Sequence, residues 1–314
     1  MFRFIVRRLL LALPTMLISA AAVFFLIRLI PGDPASLMLG DQVDATSLAD
    51  LRQRMGLDHS LPIQFVLWVS QLLHGDFGMS IRTDEPVLPL VFDRFIVSSR
   101  IVFVAVAIAS VLAVPAGMLA AWKEDSKLDI GLVGVATVLL SIPSFWLGLM
   151  LLYLFGYKFG WFPVVGYVSF SEDTKMAALY LILPVATLVL HEVGILIRMA
   201  RASTLEVLRL DYITHARAKG LTETAVLCRH AFRNAFGPTW TLIGLVLGNL
   251  LGGIAVVETV FTIPGLGRLL VDSIFGRDYP VIQGCLLFIV LVYVMVNLVV
   301  DLLYPLFDPR VTEE

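Results

Sequence analysis

Charge is scarce in this sequence. Asp, Glu, Lys and Arg make up 15% of its 314 residues, against about 25% in an ordinary soluble chain. With 59% hydrophobic residues and a mean hydropathy of +0.90, the composition excludes a water-soluble enzyme or nucleic-acid module. The net charge of −2 leaves no chain-wide basic footprint, so nucleic acid is not an expected partner. Cysteine is nearly absent: Cys228 and Cys285 are too few and too far apart for a disulfide framework or a Cys-x-x-Cys metal site. No Gly-Lys dipeptide occurs anywhere, which excludes a P-loop and a nucleotide site of that kind. His191-Glu192 opens like a zinc-protease helix, but the second histidine would fall at position 195, which is Ile195. Neither a metal site nor a catalytic set is therefore expected, and the chain reads as a non-enzyme.

What the sequence has in abundance is long uncharged runs. They cover Leu9–Ile27, Ile101–Trp122, Ile130–Tyr157, Met176–His191, Asn234–Val257 and Tyr279–Val300. About 20 apolar residues are needed for a helix to cross roughly 30 Å of hydrocarbon. Five runs reach that length as they stand. The fourth does so by extending to Ile197 with Glu192 turned toward a protein neighbour or the interface. The expectation is an all-α membrane protein with six transmembrane helices. Arg3, Arg7 and Arg8 before an apolar run resemble a signal peptide, but Val23–Ile27 continues the run past Ala20-Ala21-Ala22, so a retained first span is expected.

Lys and Arg collect on the cytoplasmic side of membrane proteins. Three arginines precede the first span, and Arg198, Arg201, Arg209, Arg217, Lys219, Arg229 and Arg233 lie between the fourth and fifth. The segment Pro31–Ser98 carries four basic residues against nine acidic ones. Both termini and the Arg-rich loop are therefore expected inside. The resulting layout is a cytoplasmic N-terminus 1–8, spans at 9–30, 99–122, 130–157, 176–197, 239–262 and 279–303, an external segment 31–98, a cytoplasmic loop 198–238 and a tail 304–314. The external segment reads as a cap between the first two helices. It is rich in turn formers (Pro31-Gly32-Asp33-Pro34, Gly40-Asp41, Gly75-Asp76, Gly78), with short helices expected at Ala45–Met55 and Leu61–Leu73.

In the cytoplasmic loop, Ser203-x-x-Glu206 reads as a capping box. The helix it starts could run to Lys219, with Gly220 in the left-handed position that ends many helices. A second amphipathic helix fits Glu223–Phe236, carrying Arg229 and Arg233 on one face, and Gly237-Pro238 is expected to break it. Two such helices form a docking surface for a soluble partner, or a basic pair resting on anionic lipid. Within the spans, Gly244, Gly248, Gly252 and Gly253 give the fifth a small-residue face, suited to close packing or to a pore lining. Gly248, Asn249 and Gly252 are the pore-lining candidates. Glu192, Glu258 and Asp301 lie toward span ends, which lends little support to an ion-coupled carrier or channel.

Read together, several segments resemble ABC-importer permeases of the dipeptide/oligopeptide/nickel branch. They are Asp211-Tyr212-Ile213-Thr214-His215-Ala216-Arg217-Ala218-Lys219-Gly220-Leu221, His230-Ala231-Phe232-Arg233-Asn234-Ala235 with Pro238, Arg7-Arg8-Leu9-Leu10 with Pro14, Pro31-Gly32-Asp33-Pro34, Gly56-Leu57-Asp58 and Gly75-Asp76-Phe77-Gly78-Met79-Ser80. Further on come Glu258-Thr259-Val260-Phe261, Pro264-Gly265-Leu266-Gly267-Arg268, Arg277-Asp278-Tyr279-Pro280-Val281-Ile282-Gln283, Asn297, Asp301 and Asp308-Pro309-Arg310. The resemblance spans essentially the whole chain. It departs from the general Glu-Ala-Ala loop pattern, since Thr214, His215 and Ala216 stand at those places, and Ile263 stands where the branch often has Trp.

The resemblance implies a type I permease fold with its permease domain at about 95–305, in a bacterial or archaeal plasma membrane. It implies a five-part importer made of this chain, a second similar permease, two ATPases that hold ATP and Mg, and an external solute-binding protein. Residues Tyr212 to Leu221 would form the ATPase-docking loop. Tyr212, Ile213 and Leu221 would supply apolar docking contacts, Arg217 and Lys219 would face acidic groups, and Gly220 would make the turn. No cofactor is expected on this chain. Short or glutathione-like peptides lead as cargo, with nickel or a metal chelate as the alternative.

Overall fold

The computed structural model describes residues 2–28, 46, 52 and 58–307. The expected turn segments Pro31-Gly32-Asp33-Pro34 and Gly40-Asp41, nearly all of the expected helix Ala45–Met55, the pair Gly56-Leu57 and Asp308-Pro309-Arg310 lie outside the described residues. Among the described residues the regular structure is helical, with one isolated antiparallel bridge between Met79 and Pro86.

Helix α1 (Phe2–Arg28) passes without interruption through Pro14. Its far end is held by aromatic packing: Phe24, fully buried, meets Phe65 and Trp68 at 5.3 and 5.4 Å between ring centres. Those rings belong to α2 (Leu61–Leu73), a surface helix with no buried residue of its own. Arg28 stacks 3.4 Å over the Phe24 ring and donates from Nε to Gln64 Oε1 at 3.1 Å.

Helix α3 (Val87–Trp122) runs the height of the bundle beside α6 (Thr174–Leu208), forming the most extensive helix pair of the fold. Two glycines set how closely α3 and α4 (Lys127–Ser141) approach α6. A methyl group on Gly117 of α3 would sit 2.6 Å from the Ile197 carbonyl oxygen, and one on Gly194 of α6 would sit 2.6 Å from the Ala136 carbonyl oxygen. Backbone-to-backbone packing of this kind gains dispersion contacts where apolar surface gives no advantage over lipid. Ala136 lies on α4, which starts at Ser126, whose hydroxyl accepts from the Asp129 N–H.

The third apolar run does not form one straight span. Helix α4 ends at Ile142-Pro143, and α5 (Ser144–Leu151), continued by a π-helical stretch to Lys158, leaves at 97° to it. Pro143 is the cause: it has no N–H to continue the ladder, and its ring drives Ile142 into an extended conformation with ψ of 122°. Among the described residues, five helices are long and apolar enough to cross a membrane, and six if this bent pair counts as one span.

Helix α6 continues through Ser203, so no helix starts there. The Ser203 hydroxyl instead donates back to the Met199 carbonyl at 3.0 Å. The capping-box pattern is overridden because Ala200, Thr204 and Val207 remain buried on the same helix. The loop helix begins later, as α7 (Asp211–Ala218). Next, α8 (Glu223–Gly253) runs from the loop into the bundle without a break at Gly237-Pro238. The one backbone bond that Pro238 forfeits is tolerated, as in other membrane helices. At Gly237 the helix accepts the Tyr304 ring, whose oxygen would lie 3.2 Å from an added methyl. The short α9 (Ala255–Val260) and α10 (Leu266–Gly276) follow at the end opposite α7, and α11 (Tyr279–Leu303) returns to close against α8 and α1.

Candidate functional site

The loop between α6 and α8 is built on a small core of its own. Ile213 and Ala216 on the underside of α7 are buried with Val207 of α6 and Val226, Ala231 and Ala235 of α8. Three-to-four-residue spacing puts both on one face, leaving Tyr212, Thr214, His215, Arg217, Ala218 and Lys219 exposed, with Gly220 and Leu221 just beyond. Ile213 is therefore not a surface contact: it joins the loop helix to the bundle, and Tyr212 and Leu221 are the apolar side chains that remain outside. Arg217 is also already engaged, donating from Nε and Nη2 to the Glu223 carboxylate at 2.9 and 3.2 Å. Asn234 donates to the Tyr212 hydroxyl at 2.7 Å, fixing the ring's direction. Gly220 has φ of +82°, with open space around the position a side chain would take. This is the left-handed end that the sequence predicts, satisfying the last carbonyls of α7.

Two ion pairs brace the same end. Arg201 of α6 donates from Nε and Nη2 to both oxygens of Asp129, each at 2.6 Å, and Asp129 is nearly inaccessible. Arg209 reaches Glu124 at 3.0 Å on the exposed surface. Sequence reading missed the first pair, because Asp129 stands among Glu124, Asp125 and Lys127, and Arg201 follows Arg198 on α6, so no local pattern marks the two as partners.

Gly248, Asn249 and Gly252 line a cavity of about 550 Å³ between α1, α8 and α11. Gly248 and Gly252 receive α11 closely, since added methyl groups would fall 2.8 Å from the Tyr293 ring and 3.0 Å from Ile289. Asn249 is exposed. Asn297, on the cavity wall, donates to the Tyr293 carbonyl of its own helix at 2.9 Å. One end of the cavity is framed by the Arg8–Asp301 ion pair at 2.5 Å, joining α1 to α11.

At the opposite end, segments far apart in sequence meet on two buried carboxylates. Glu258, on α9 and fully buried, accepts from the Ser98 hydroxyl at 2.5 Å and the Arg268 N–H at 2.8 Å. The Ser98 oxygen in turn accepts from the Leu266 N–H at 2.8 Å, so α3, α9 and the start of α10 share one hydrogen-bonded knot. Asp278 accepts from the Ser80 hydroxyl at 2.5 Å and the Ile81 N–H at 3.2 Å. That ties the loop before α3 to the α10–α11 turn, where Arg277 has φ of +55°. Nothing in the sequence singles out Ser98 or Ser80 as partners, because each lies about 160 to 200 positions from its carboxylate.

A loop helix with a buried underside, five or six apolar helices of spanning length among the described residues and carboxylate knots at the far end make this a polytopic membrane protein. The chain belongs to the family of binding-protein-dependent transport system inner membrane components, which residues 113–313 match, while residues 1–102 match that family's N-terminal region. It is the permease subunit of an ABC importer. Among similar proteins, a Brucella suis chain that carries the provisional name of a peptide transport system permease is 41% identical over 98% of both chains. The dipeptide transport system permease protein of Alkalihalophilus pseudofirmus is 38% identical over 99% of both, and the glutathione transport system permease protein of Salmonella choleraesuis is 40% identical over 99% of both. In fold, a chain of the methionine ABC transporter solved in inward-facing conformations superposes with a TM-score of 0.60 at 18% identity. It covers 71% of this chain and 99% of its own length.

Proposed function

We propose that this chain carries short peptides, glutathione-like ones included, inward across a bacterial plasma membrane. It would work with a second permease, two ATPases that hold the ATP and Mg, and an external solute-binding protein. The relatives named for peptide, dipeptide and glutathione transport support the cargo class. The excess of Lys and Arg between α6 and α8 supports an orientation with both termini and α7 in the cytoplasm.

The observation that carries the reading is the division of α7 into two faces. Its buried face, through Ile213 and Ala216, is continuous with α6 and α8. Its outer rim, Tyr212, His215, Lys219 and Leu221, is free for a cytoplasmic partner. A push on that rim is therefore delivered to two long helices rather than absorbed by a mobile loop. Helix α6 has 35 residues, about 52 Å at 1.5 Å per residue, so it is long enough to convey the push to the opposite end. Closure of the ATPases would rock α6 and α8 as rigid bodies, and the Arg201–Asp129 pair would draw α4 along. Exposed pairs such as those open to Lys219 contribute only about 0–1 kcal/mol each. Tyr212 and Leu221 would then supply most of the docking energy from this helix. Gly248, Asn249 and Gly252 are proposed to border the cargo path through the cavity they line.

The test is a mild-detergent affinity purification of the tagged chain from its native membrane, with mass spectrometry of what accompanies it. Two ATPase-type subunits and a second permease are expected, and the companion binding protein should take up peptides in preference to nickel chelates. A chain that repeatedly comes down alone, and transports without an ATPase, would overturn the proposal.

A further inference from the structure

A second groove lies away from α7 and from the Gly248 cavity. It has a volume of about 890 Å³ and runs between α3 and α6, from Ser99 and Arg100 to Ile108 on one wall and from Ala178 to Val189 on the other, with Phe170 at its mouth. Its walls are aliphatic and aromatic, and Phe103, Val104, Ile108 and Ile182 are each two-fifths to one-half exposed. Among the described residues Arg100 is the only charged side chain lining it. The Arg100 guanidinium is exposed and lies 5.2 Å from the centre of the Phe170 ring. Among the described residues no carboxylate comes within ion-pair distance of it.

Length and depth decide what such a groove can hold. At 1.5 Å per residue its walls run about 14 Å along α3 and about 17 Å along α6. One leaflet contributes about 15 Å, half of the roughly 30 Å hydrocarbon thickness. Deeper in the bundle the groove is closed, because Gly117 of α3 abuts the Ile197 carbonyl, Ala200 and the Arg201 N–H of α6. Below Ile108 α3 still exposes Val111 and Leu112, but the concave slot itself ends at Ile108 and Val189, which matches a chain of one leaflet's depth better than a helix of full height. An acyl chain needs one leaflet's depth with an anionic group at its outer end. A guanidinium meets phosphate oxygens through two parallel N–H donors, which suits it to that end.

We infer that the groove between α3 and α6 is a binding site for an anionic phospholipid of the leaflet next to residues 58–98. Its acyl chain would lie along Phe103, Val104 and Ile182, and its phosphate on Arg100. The inference rests on this groove alone and stands whatever the cargo is. A lipid seated there would lie across both helices, over the buried contacts that α3 and α6 share through Ile101, Val102, Leu183 and Leu188. The helix pair that the proposed mechanism rocks would then be sensitive to membrane composition.

The experiment uses the full chain with its accompanying subunits in nanodiscs, labelled by photoactivatable phosphatidylglycerol or by the matching phosphatidylethanolamine probe. Adducts are mapped by peptide mass spectrometry. Phosphatidylglycerol adducts are expected on segments 99–108 and 178–189, in excess over phosphatidylethanolamine. Arg100→Gln should lower them about fivefold, the ratio given by roughly 1 kcal/mol for one basic residue at a lipid surface, and Arg100→Lys should keep most of them. Ala186→Trp should block the groove with the charge left in place. If that variant does not fold, the comparison of the Gln and Lys variants decides alone. Equal labelling by both lipids with no change in Arg100→Gln would overturn the inference, leaving only ordinary boundary lipid. So would a photo-crosslinking residue at Ile182 that captures a protein subunit instead of lipid.

Discussion

Replacing Gly265 by alanine would place a methyl group inside the space held by the Glu258 carboxylate, overlapping Oε1, Oε2 and Cδ. The two cannot coexist, and neither can easily give way. Gly265 is fixed by the tight turn in which its N–H bonds the Ile263 carbonyl at 2.9 Å. Glu258 is fully buried on a six-residue helix. The side chain would therefore leave the knot and surrender its bonds from the Ser98 hydroxyl and the Arg268 N–H. Hydrogen bonds to a charged group contribute about 1.5–3 kcal/mol each, so the loss amounts to about 3–6 kcal/mol. For a chain of this size 1 kcal/mol shifts the melting temperature by roughly 2–4 °C, which puts the expected drop at about 6 °C or more. The assay is thermal unfolding of the detergent-solubilised protein, followed by fluorescence-detected size exclusion. Gly134→Ala on α4, where an added methyl meets nothing within 4 Å, serves as the control and should not lower the melting temperature. In a Glu258→Ala background the same Gly265→Ala change should cost far less, because the obstructing carboxylate is gone. A Gly265→Ala protein that melts within 2 °C of the wild type would refute the reasoning.

Other perturbations probe the remaining parts. Asp129→Ala strands a three-quarters-buried Arg201 and should cost about 3 kcal/mol, the lower end of what breaking a buried pair does. The Asp129→Ala/Arg201→Ala double variant should recover part of that in the same melting assay. Gly117→Leu would drive side-chain atoms into the α6 backbone at Ile197 and Arg201, and is expected to abolish recovery of monodisperse protein. Gly220→Val forces a β-branched residue to a φ of +82° at roughly 1–2 kcal/mol of backbone strain. No neighbour is struck, so expression should hold while ATP-driven uptake falls at least tenfold; unimpaired uptake would remove Gly220 from the coupling path.

Much of this architecture was legible because its physics is local. Apolar run length marks the spans, and α11 over Tyr279–Leu303 falls where its uncharged run does. Gly220 announced its left-handed turn, and Leu61–Leu73 its surface helix. The failures share a cause: tertiary packing overrode a local signal. Ser203 carries the letters of a helix cap, yet packing on both sides kept α6 going. Pro238 carries the letter of a break, yet α8 passes through it, whereas Pro143 bends the third run by 97°. The two prolines differ in their surroundings. Pro238 sits where α8 is clasped by Tyr304, with Ala235 and Thr239 buried, while the residues around Pro143 are largely exposed. In the loop, Ile213 read as a docking contact because an apolar residue on a cytoplasmic helix has two possible uses, and only the fold shows which face it occupies. The Glu258 and Asp278 knots were present in the sequence as motif fragments, and Ser80 closes one of them, but nothing local pairs Ser80 with Asp278, and Ser98 lies in no fragment at all.

The claim on which the account turns is that the outer rim of α7 is where an ATPase takes hold. The direct measurement places a photo-crosslinking amino acid at position 212, and in parallel at 219, in cells expressing the complete set of subunits. Illumination should yield an adduct with an ATPase subunit from both positions, at a yield that changes when ATP is trapped, and none from the same probe at Phe275 on the opposite end. Adducts formed only with lipid, or a 212 adduct indifferent to the presence of any ATPase, would contradict it.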